Sequence, residues 1–181
     1  DEVERAEEEL ERLLRELKKL HEDAKERARE LLKRIEDVNR KVKEELKRLL
    51  DTIRKLREAG RDESTVKEVK DRIEELLKEL ERLNREVKER IRRLLEEIHK
   101  LDEEVNREIE RLLREVTRRI KDKDLLEKVK RVVEEVHKRS RELNEDTRRV
   151  IDKVEKDLDE LHRDSRRVVE TVKEELEKLR K

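Results

Sequence analysis

Apolar residues recur along this chain at helical spacing, and each apolar column repeats after 18 residues. Ile73, Ile91 and Ile109 form one such column. At about 3.6 residues per turn this repeat completes about five turns, so each apolar stripe runs straight along its helix instead of drifting around it. The pattern predicts long amphipathic helices with little supercoil.

The first interruption of the pattern is "EAGRDEST" at 58–65. Gly60 is the predicted residue after the end of a helix, because glycine readily takes the left-handed conformation found there. Asp62, Ser64 and Thr65 are each suitable as the N-cap of the next helix, since a short side-chain oxygen accepts a hydrogen bond from the first turn. The sequence leaves the choice among these three caps open.

The second interruption is "IKDKDLLEK" at 120–128, where Asp124 followed by Glu127 fits a capping box. Connections this short require neighbouring helices to run antiparallel. The predicted fold class is all-α: one antiparallel up-down-up three-helix bundle of long, nearly straight helices over residues 1–181. Its helices are predicted at about residues 2–59, 64–121 and 124–180.

Composition narrows the classes of function. The 181 residues include 54 basic and 54 acidic side chains and no proline, cysteine, methionine or aromatic residue. Without cysteine, disulfides, thiolate chemistry and cysteine-ligated zinc are excluded. Charges of both signs alternate along every segment, which excludes the one-sided basic face of a nucleic-acid interface. No apolar run approaches the ~18–20 residues of a membrane span, and no signal peptide is visible, so we expect no membrane binding at neutral pH.

Amides, imidazoles and one aspartate occupy core columns where the repeat calls for aliphatic residues. Antiparallel pairing makes the residue numbers at one height add to a constant for each helix pair, and this groups the polar residues into two layers about 27 Å apart. The predicted trios are His21, Asp102 and Asn144 in the first layer and Asn39, Asn84 and His162 in the second. Flanking members of the buried polar network are His99, Asn106, His137, Ser140 and Thr147 in the first layer and Ser165 in the second.

These layers are interpreted as hydrogen-bond networks that specify helix register. A shift by one repeat would place asparagine or histidine against valine and leucine, so one register is selected. His21, His99 and Asp102 also have the residue types of a metal-binding facial triad. Nothing reserves an open coordination position, so we predict no metal and no cofactor. Catalysis by a His–Asp pair needs a substrate cleft, which a continuous aliphatic core does not offer, and we predict no enzyme activity.

A pH-responsive conformational switch or assembly module is the alternative hypothesis. A buried neutral imidazole resists protonation. Desolvation should lower the pKa of His162 below about 6.5, because no carboxylate is expected in its layer. Acid is therefore expected to loosen the bundle chiefly at Asn39, Asn84 and His162.

The straight repeat, aliphatic core, absent aromatics, Glu/Lys/Arg surface and short loops resemble computationally (de novo) designed parametric helical bundles. The histidine and asparagine layers resemble the buried hydrogen-bond networks built into such bundles. The resemblance covers the whole chain in style but aligns no family motif. It implies a stable scaffold without evolved activity or natural localisation, soluble and cytoplasmic on expression. A natural spectrin-like or coiled-coil segment is the alternative source. One apolar arc per helix, all used inside the core, predicts a monomer without partners.

Overall fold

The computed structural model describes residues 2–60 and 62–179, which form three helices joined by two short connections. The helices are α1 (Glu2–Ala59), α2 (Glu63–Arg119) and α3 (Lys123–Lys178). No strand occurs in these ranges, and the prediction of an all-α three-helix bundle is confirmed. Helix α2 ends at Arg119 instead of the predicted 121. The predicted end of the third helix at 180 lies outside the described residues.

Gly60 and Asp62 form the first connection. Gly60 has a φ of +99°, a left-handed conformation that glycine adopts without a steric penalty. Asp62 is the N-cap of α2: its Oδ1 accepts the Ser64 backbone N–H at 3.2 Å, and its Oδ2 accepts the Thr65 hydroxyl at 2.9 Å. Of the three caps that the sequence left open, the structure therefore selects Asp62.

The second connection ends at Asp122, which caps α3. Its Oδ1 accepts the backbone N–H of Asp124 at 3.0 Å, and its backbone carbonyl accepts the N–H of Leu126 at 3.1 Å. The predicted capping box of Asp124 and Glu127 is therefore wrong. Helix α3 begins one residue earlier, at Lys123, because Asp122 supplies the same carboxylate acceptor two positions upstream.

The chain divides into two compact units, and each unit contains part of all three helices. The first unit combines the chain up to Ala28 with Ile91–Asp152. In it the start of α1 packs against the end of α2, so these two helices run antiparallel. Its aliphatic core draws on α1, α2 and α3 through Leu10, Leu17, Ile109, Val116, Val129 and Val133.

The second unit combines Arg29–Arg90 with the chain from Lys153 onward. Its core again draws on all three helices and contains Leu46, Ile53, Ile73, Leu76, Val169 and Val172. On its surface the Arg72 guanidinium donates two hydrogen bonds to the Glu45 carboxylate, at 2.5 and 2.9 Å. The prediction of one bundle over residues 1–181 stays a prediction.

The interior of both units is aliphatic apart from a small set of polar side chains. Aliphatic burial drives the packing of such a core, whereas a buried polar group requires a hydrogen-bond partner. The polar residues therefore need individual explanation. Those that are buried among the described residues are His21, Lys25, Asn39, Ser140, Thr147 and Ser165.

Candidate buried polar sites

His21 on α1 is the centre of the polar site in the first unit. Only 2% of the residue is exposed, and its Nδ1 lies 2.8 Å from Oγ1 of Thr147 on α3, which is completely buried. Its Nε2 lies 3.6 Å from Oδ1 of Asp102 on α2, which is beyond hydrogen-bond distance. The imidazole of His21 thus has the hydroxyl of Thr147 at one ring nitrogen and the carboxylate of Asp102 at the other, and the three residues come from three helices.

The neighbours of the two ring nitrogens favour one tautomer of His21. A carboxylate near Nε2 favours a proton on that nitrogen, and the lone pair of Nδ1 then accepts the hydrogen of the Thr147 hydroxyl. Asp102 Oδ1 is itself buried and has no hydrogen-bond partner. The interaction between His21 and Asp102 is therefore electrostatic, whereas that between His21 and Thr147 is a hydrogen bond.

Hydroxyl, imidazole and carboxylate also form the order of groups found in nucleophilic catalysis. Here the hydroxyl belongs to Thr147, which has no exposed surface, so a substrate cannot reach it. A groove of about 500 Å³ opens beside Asp102, and Thr147 lies in its wall together with Asn144 and Arg148. Since Thr147 has no exposed surface and His21 is only 2% exposed, the arrangement holds helices together and offers no accessible nucleophile.

Lys25 is a buried member of this site that sequence reasoning missed. Only 5% of the residue is exposed, and its ammonium donates hydrogen bonds to Asp146 on α3 and to Glu22 on α1. The hydrogen bond to Asp146 raises the pKa of the Lys25 ammonium above its ordinary value.

Thr147 takes the place that was predicted for Asn144. Asn144 is half-buried and lines the groove beside Asp102, and no hydrogen bond joins it to His21 among the residues the structure describes. The 18-residue column that points into the core of α3 contains Val129, Thr147 and Ser165, all buried. Thr147 and Ser165 therefore lie at the centre of the buried face of α3. Asn144 and His162, which belong to the predicted column, lie at the edge of that face.

His99 and Asn106 are exposed, so their assignment to the buried network is wrong. Asp102 already lies at the edge of the buried face of α2. His99, one turn before it, and Asn106, one turn after it, lie about 60° and 40° further around the helix in the direction of the solvent. His99 pairs there with Glu103, with its Nε2 3.0 Å from Oε1. Among the remaining flanking residues, Ser140 is buried and His137 is half-buried.

Asn39 and Ser165 are the most deeply buried polar residues of the second unit. Asn39 is 5% exposed and Ser165 has no exposed surface, yet Asn39 Nδ2 and Ser165 Oγ have no hydrogen-bond partner in the protein. A cavity of about 20 Å³ lies beside Asn39. Its polar walls are the three side chains predicted for this layer, Asn39, Asn84 and His162, and the other walls are aliphatic.

The pKa of His162 is lowered from its ordinary value. Burial of the imidazole is the largest cause, followed by the positive charges of Arg166 and Lys88. The carboxylates of Glu81 and Asp159 act in the opposite direction. The predicted direction is confirmed, and the carboxylates of Glu81 and Asp159, which do not belong to the predicted layer, only partly oppose it.

Residues 2–60 and 62–179 contain no group of three or more His, Asp or Glu side chains arranged to hold a metal ion. The helices in these ranges contain no stretch apolar enough to cross a membrane.

Comparison with known proteins gives one match of interest. No protein-family model matches the chain, and no curated protein matches it. A solved structure titled "Computationally designed three helix bundle" covers 98% of this chain and 88% of its own, at 23% identity and a TM-score of 0.45.

Proposed function

We propose that this chain is a designed structural scaffold without an evolved biochemical activity, in which buried polar side chains specify how the helices pair. The observation that carries the proposal is the 2.8 Å hydrogen bond between His21 and Thr147. These residues are 126 positions apart, and both are buried in an interior that is otherwise largely aliphatic. The resemblance of the sequence pattern to designed bundles supports the same proposal.

The physical basis of this specificity is the difference between aliphatic and polar packing. Valine and leucine pack against one another in several alignments, since the hydrophobic effect has no direction. A hydrogen bond has a direction, and a buried donor or acceptor without a partner costs about 1–3 kcal/mol. Any displacement of α1 along α3 would separate His21 from Thr147 and incur this cost. The polar pair therefore penalises misaligned states more than it stabilises the aligned one.

A double-mutant cycle on this pair tests the proposal. Thr147→Val and His21→Leu should each lower the free energy of unfolding, and the double variant should lose less than the sum, because it removes both members of the hydrogen bond and leaves neither without its partner. We expect a coupling energy of about 1 kcal/mol or more. Additive losses would show that the two side chains do not act as a pair, and the proposal would lose its main support.

A pH-responsive switch is the second candidate function, and the lowered pKa of His162 favours it. The charged groups that act on this imidazole are Arg166 and Asp159 of α3 and Lys88 and Glu81 of α2, whereas the layer residue on α1 is the neutral Asn39. Because the folded state resists protonation, acid should destabilise the region around this histidine.

Hydrogen exchange at about pH 7.5 and about pH 4.5 tests this, compared at matched intrinsic rates. Loss of protection at acid pH around Asn84 and His162 that is absent in His162→Gln supports the switch. Equal protection at both pH values would contradict it.

We also propose that the chain acts as a monomer without a macromolecular partner. Within the described residues, the large hydrophobic side chains exposed at the surface are Leu20 on α1 at 40% and Leu125 on α3 at 41%. A surface used for association usually presents a contiguous apolar patch instead. Light scattering should give the monomer mass of 22.3 kDa at all concentrations. A mass that rises with concentration would reveal association through the charged surface.

A further inference from the structure

The cavity beside Asn39 has polar chemistry on part of its wall. Its volume is about 20 Å³, and three of its lining side chains, those of Asn39, Asn84 and His162, carry hydrogen-bonding groups. Asn39 is only 5% exposed, and its Nδ2 has no hydrogen-bond partner in the protein. A buried amide donor of this kind requires an acceptor, so the cavity is a candidate binding site.

The internal repeat explains why this site differs from its counterpart in the first unit. Asn39 follows His21 by 18 residues, and Ser165 follows Thr147 by the same interval. His21 and Thr147 bond directly at 2.8 Å. Asparagine lacks two atoms of the histidine ring, and serine lacks the methyl group of threonine. The smaller side chains do not form the equivalent bond, since Asn39 Nδ2 and Ser165 Oγ both lack a partner in the protein. The cavity is lined by Asn39, Asn84 and His162 and not by Ser165.

We propose that this cavity binds one water molecule, which accepts a hydrogen bond from Asn39 Nδ2. The side chains of Asn84 and His162, which also line the cavity, supply its other partners. An internal water needs roughly 10–15 Å³ and two to four polar partners, and the cavity meets both conditions. Its size admits one molecule and excludes a larger organic ligand. The proposal concerns this cavity alone and stands whether or not the polar residues specify helix register.

Water–protein cross-relaxation in NMR spectra of the intact chain tests the proposal. A water held for longer than molecular tumbling should give cross-peaks to the Asn39 side-chain amide, with the sign found for rigid protein protons. Water-oxygen relaxation dispersion should count one fewer long-lived water in Asn39→Leu. The matched control is Asn106→Leu, the same substitution at an exposed position, which should leave the count unchanged.

Two results would overturn the proposal. In the first, the parent chain lacks the water cross-peak, and dissolved xenon shifts the methyl resonances of Leu80 and Leu158, because a dry cavity takes up xenon instead. In the second, direct cross-peaks between the side chains of Asn39 and Ser165 show that they bond each other. Both results leave the scaffold proposal intact. Since the parent chain alone decides between them, the test stands even where Asn39→Leu fails to fold.

Discussion

His21 and Thr147 are joined by a 2.8 Å hydrogen bond between α1 and α3, and the two residues are 2% and 0% exposed. Helix pairs in an aliphatic core gain little directional information from their packing. This bond supplies direction in the first unit, and the negative charge of Asp102 lies 3.6 Å from the other ring nitrogen. The position of one hydroxyl thus decides whether a buried imidazole is satisfied.

Thr147→Val is the most direct test of this bond. Valine has nearly the same shape as threonine but no hydroxyl, so Nδ1 of the buried His21 loses its partner while packing is preserved. We expect the free energy of unfolding to fall by about 1–3 kcal/mol, measured by urea denaturation.

The matched control is Thr171→Val on the same helix, where the exposed hydroxyl donates to its own helix at the carbonyl of Arg167. Its effect should stay within about 0.5 kcal/mol. Equal losses in the two variants would mean that the bond between His21 and Thr147 adds no stability beyond helix propensity.

Lys25 provides a second prediction: replacing its buried positive charge by a negative one should cost more stability than removing the charge. Lys25→Met keeps the apolar stem and removes the ammonium, while Asp146 and Glu22, which are 55% and 57% exposed, remain hydrated. We expect a change within about 1 kcal/mol. Lys25→Glu instead adds a third carboxylate in a buried position and should cost about 2–4 kcal/mol. Similar urea midpoints for the two variants would contradict the burial of this side chain.

His162 provides the prediction on pH. Its folded-state pKa lies below the unfolded value of about 6.5, so the unfolded chain binds the proton more readily. The associated stability is fully present above about pH 6.5 and is lost as the pH falls toward the folded pKa. Because the ring is only half-buried, we expect a loss of about 1 kcal/mol or less between about pH 7.5 and pH 5.

The variant His162→Gln should lack this part of the pH dependence, since glutamine does not titrate. His99→Gln serves as the control, because the side chain of His99 is 70% exposed. If His162→Gln and the parent chain lose the same stability on acidification, another group is responsible.

Gly60 gives a prediction on the first connection. A Cβ at this position would meet no atom within 4 Å, so the cost of Gly60→Ala arises from the backbone conformation alone. At a φ of +99° we expect a loss of about 1 kcal/mol in urea denaturation. Gly60→Asn should cost less, because asparagine tolerates the left-handed region better. A neutral Gly60→Ala would show that the connection relaxes to another conformation.

The helices could be predicted from the sequence because periodicity and breaks are local signals. Gly60 marks the end of α1, and the aliphatic columns identify the buried faces. The cap of α3 could not be chosen correctly, because Asp122 and Asp124 have the same carboxylate, and only the direction of the chain after Ile120 decides which one accepts the hydrogen bond.

The position of each polar site along the helix axis was predictable, but which side chains point into the core was not. The repeat grouped His21 with Asp102, and Asn39 with Asn84 and His162. In the structure the first two lie 3.6 Å apart and the other three line one cavity. A helical wheel has too little angular resolution to separate a central position from one about 60° away, which is why Asn144 was preferred to Thr147 and His99 was counted as buried. Lys25 gave no distinct signal in a chain that is 60% charged.

The central claim is that polar side chains in the interior fix how α1 and α3 align. Spin labels at the exposed positions Glu26→Cys and Arg149→Cys report the distance between these helices in the first unit by double electron–electron resonance. The measurement compares the parent chain with a variant carrying His21→Leu, Asp102→Leu and Thr147→Val. Our account predicts one narrow distance distribution in the parent chain and a broad or multiple distribution in the variant. The same single narrow distribution in both would contradict it, since an aliphatic interior would then fix the alignment on its own.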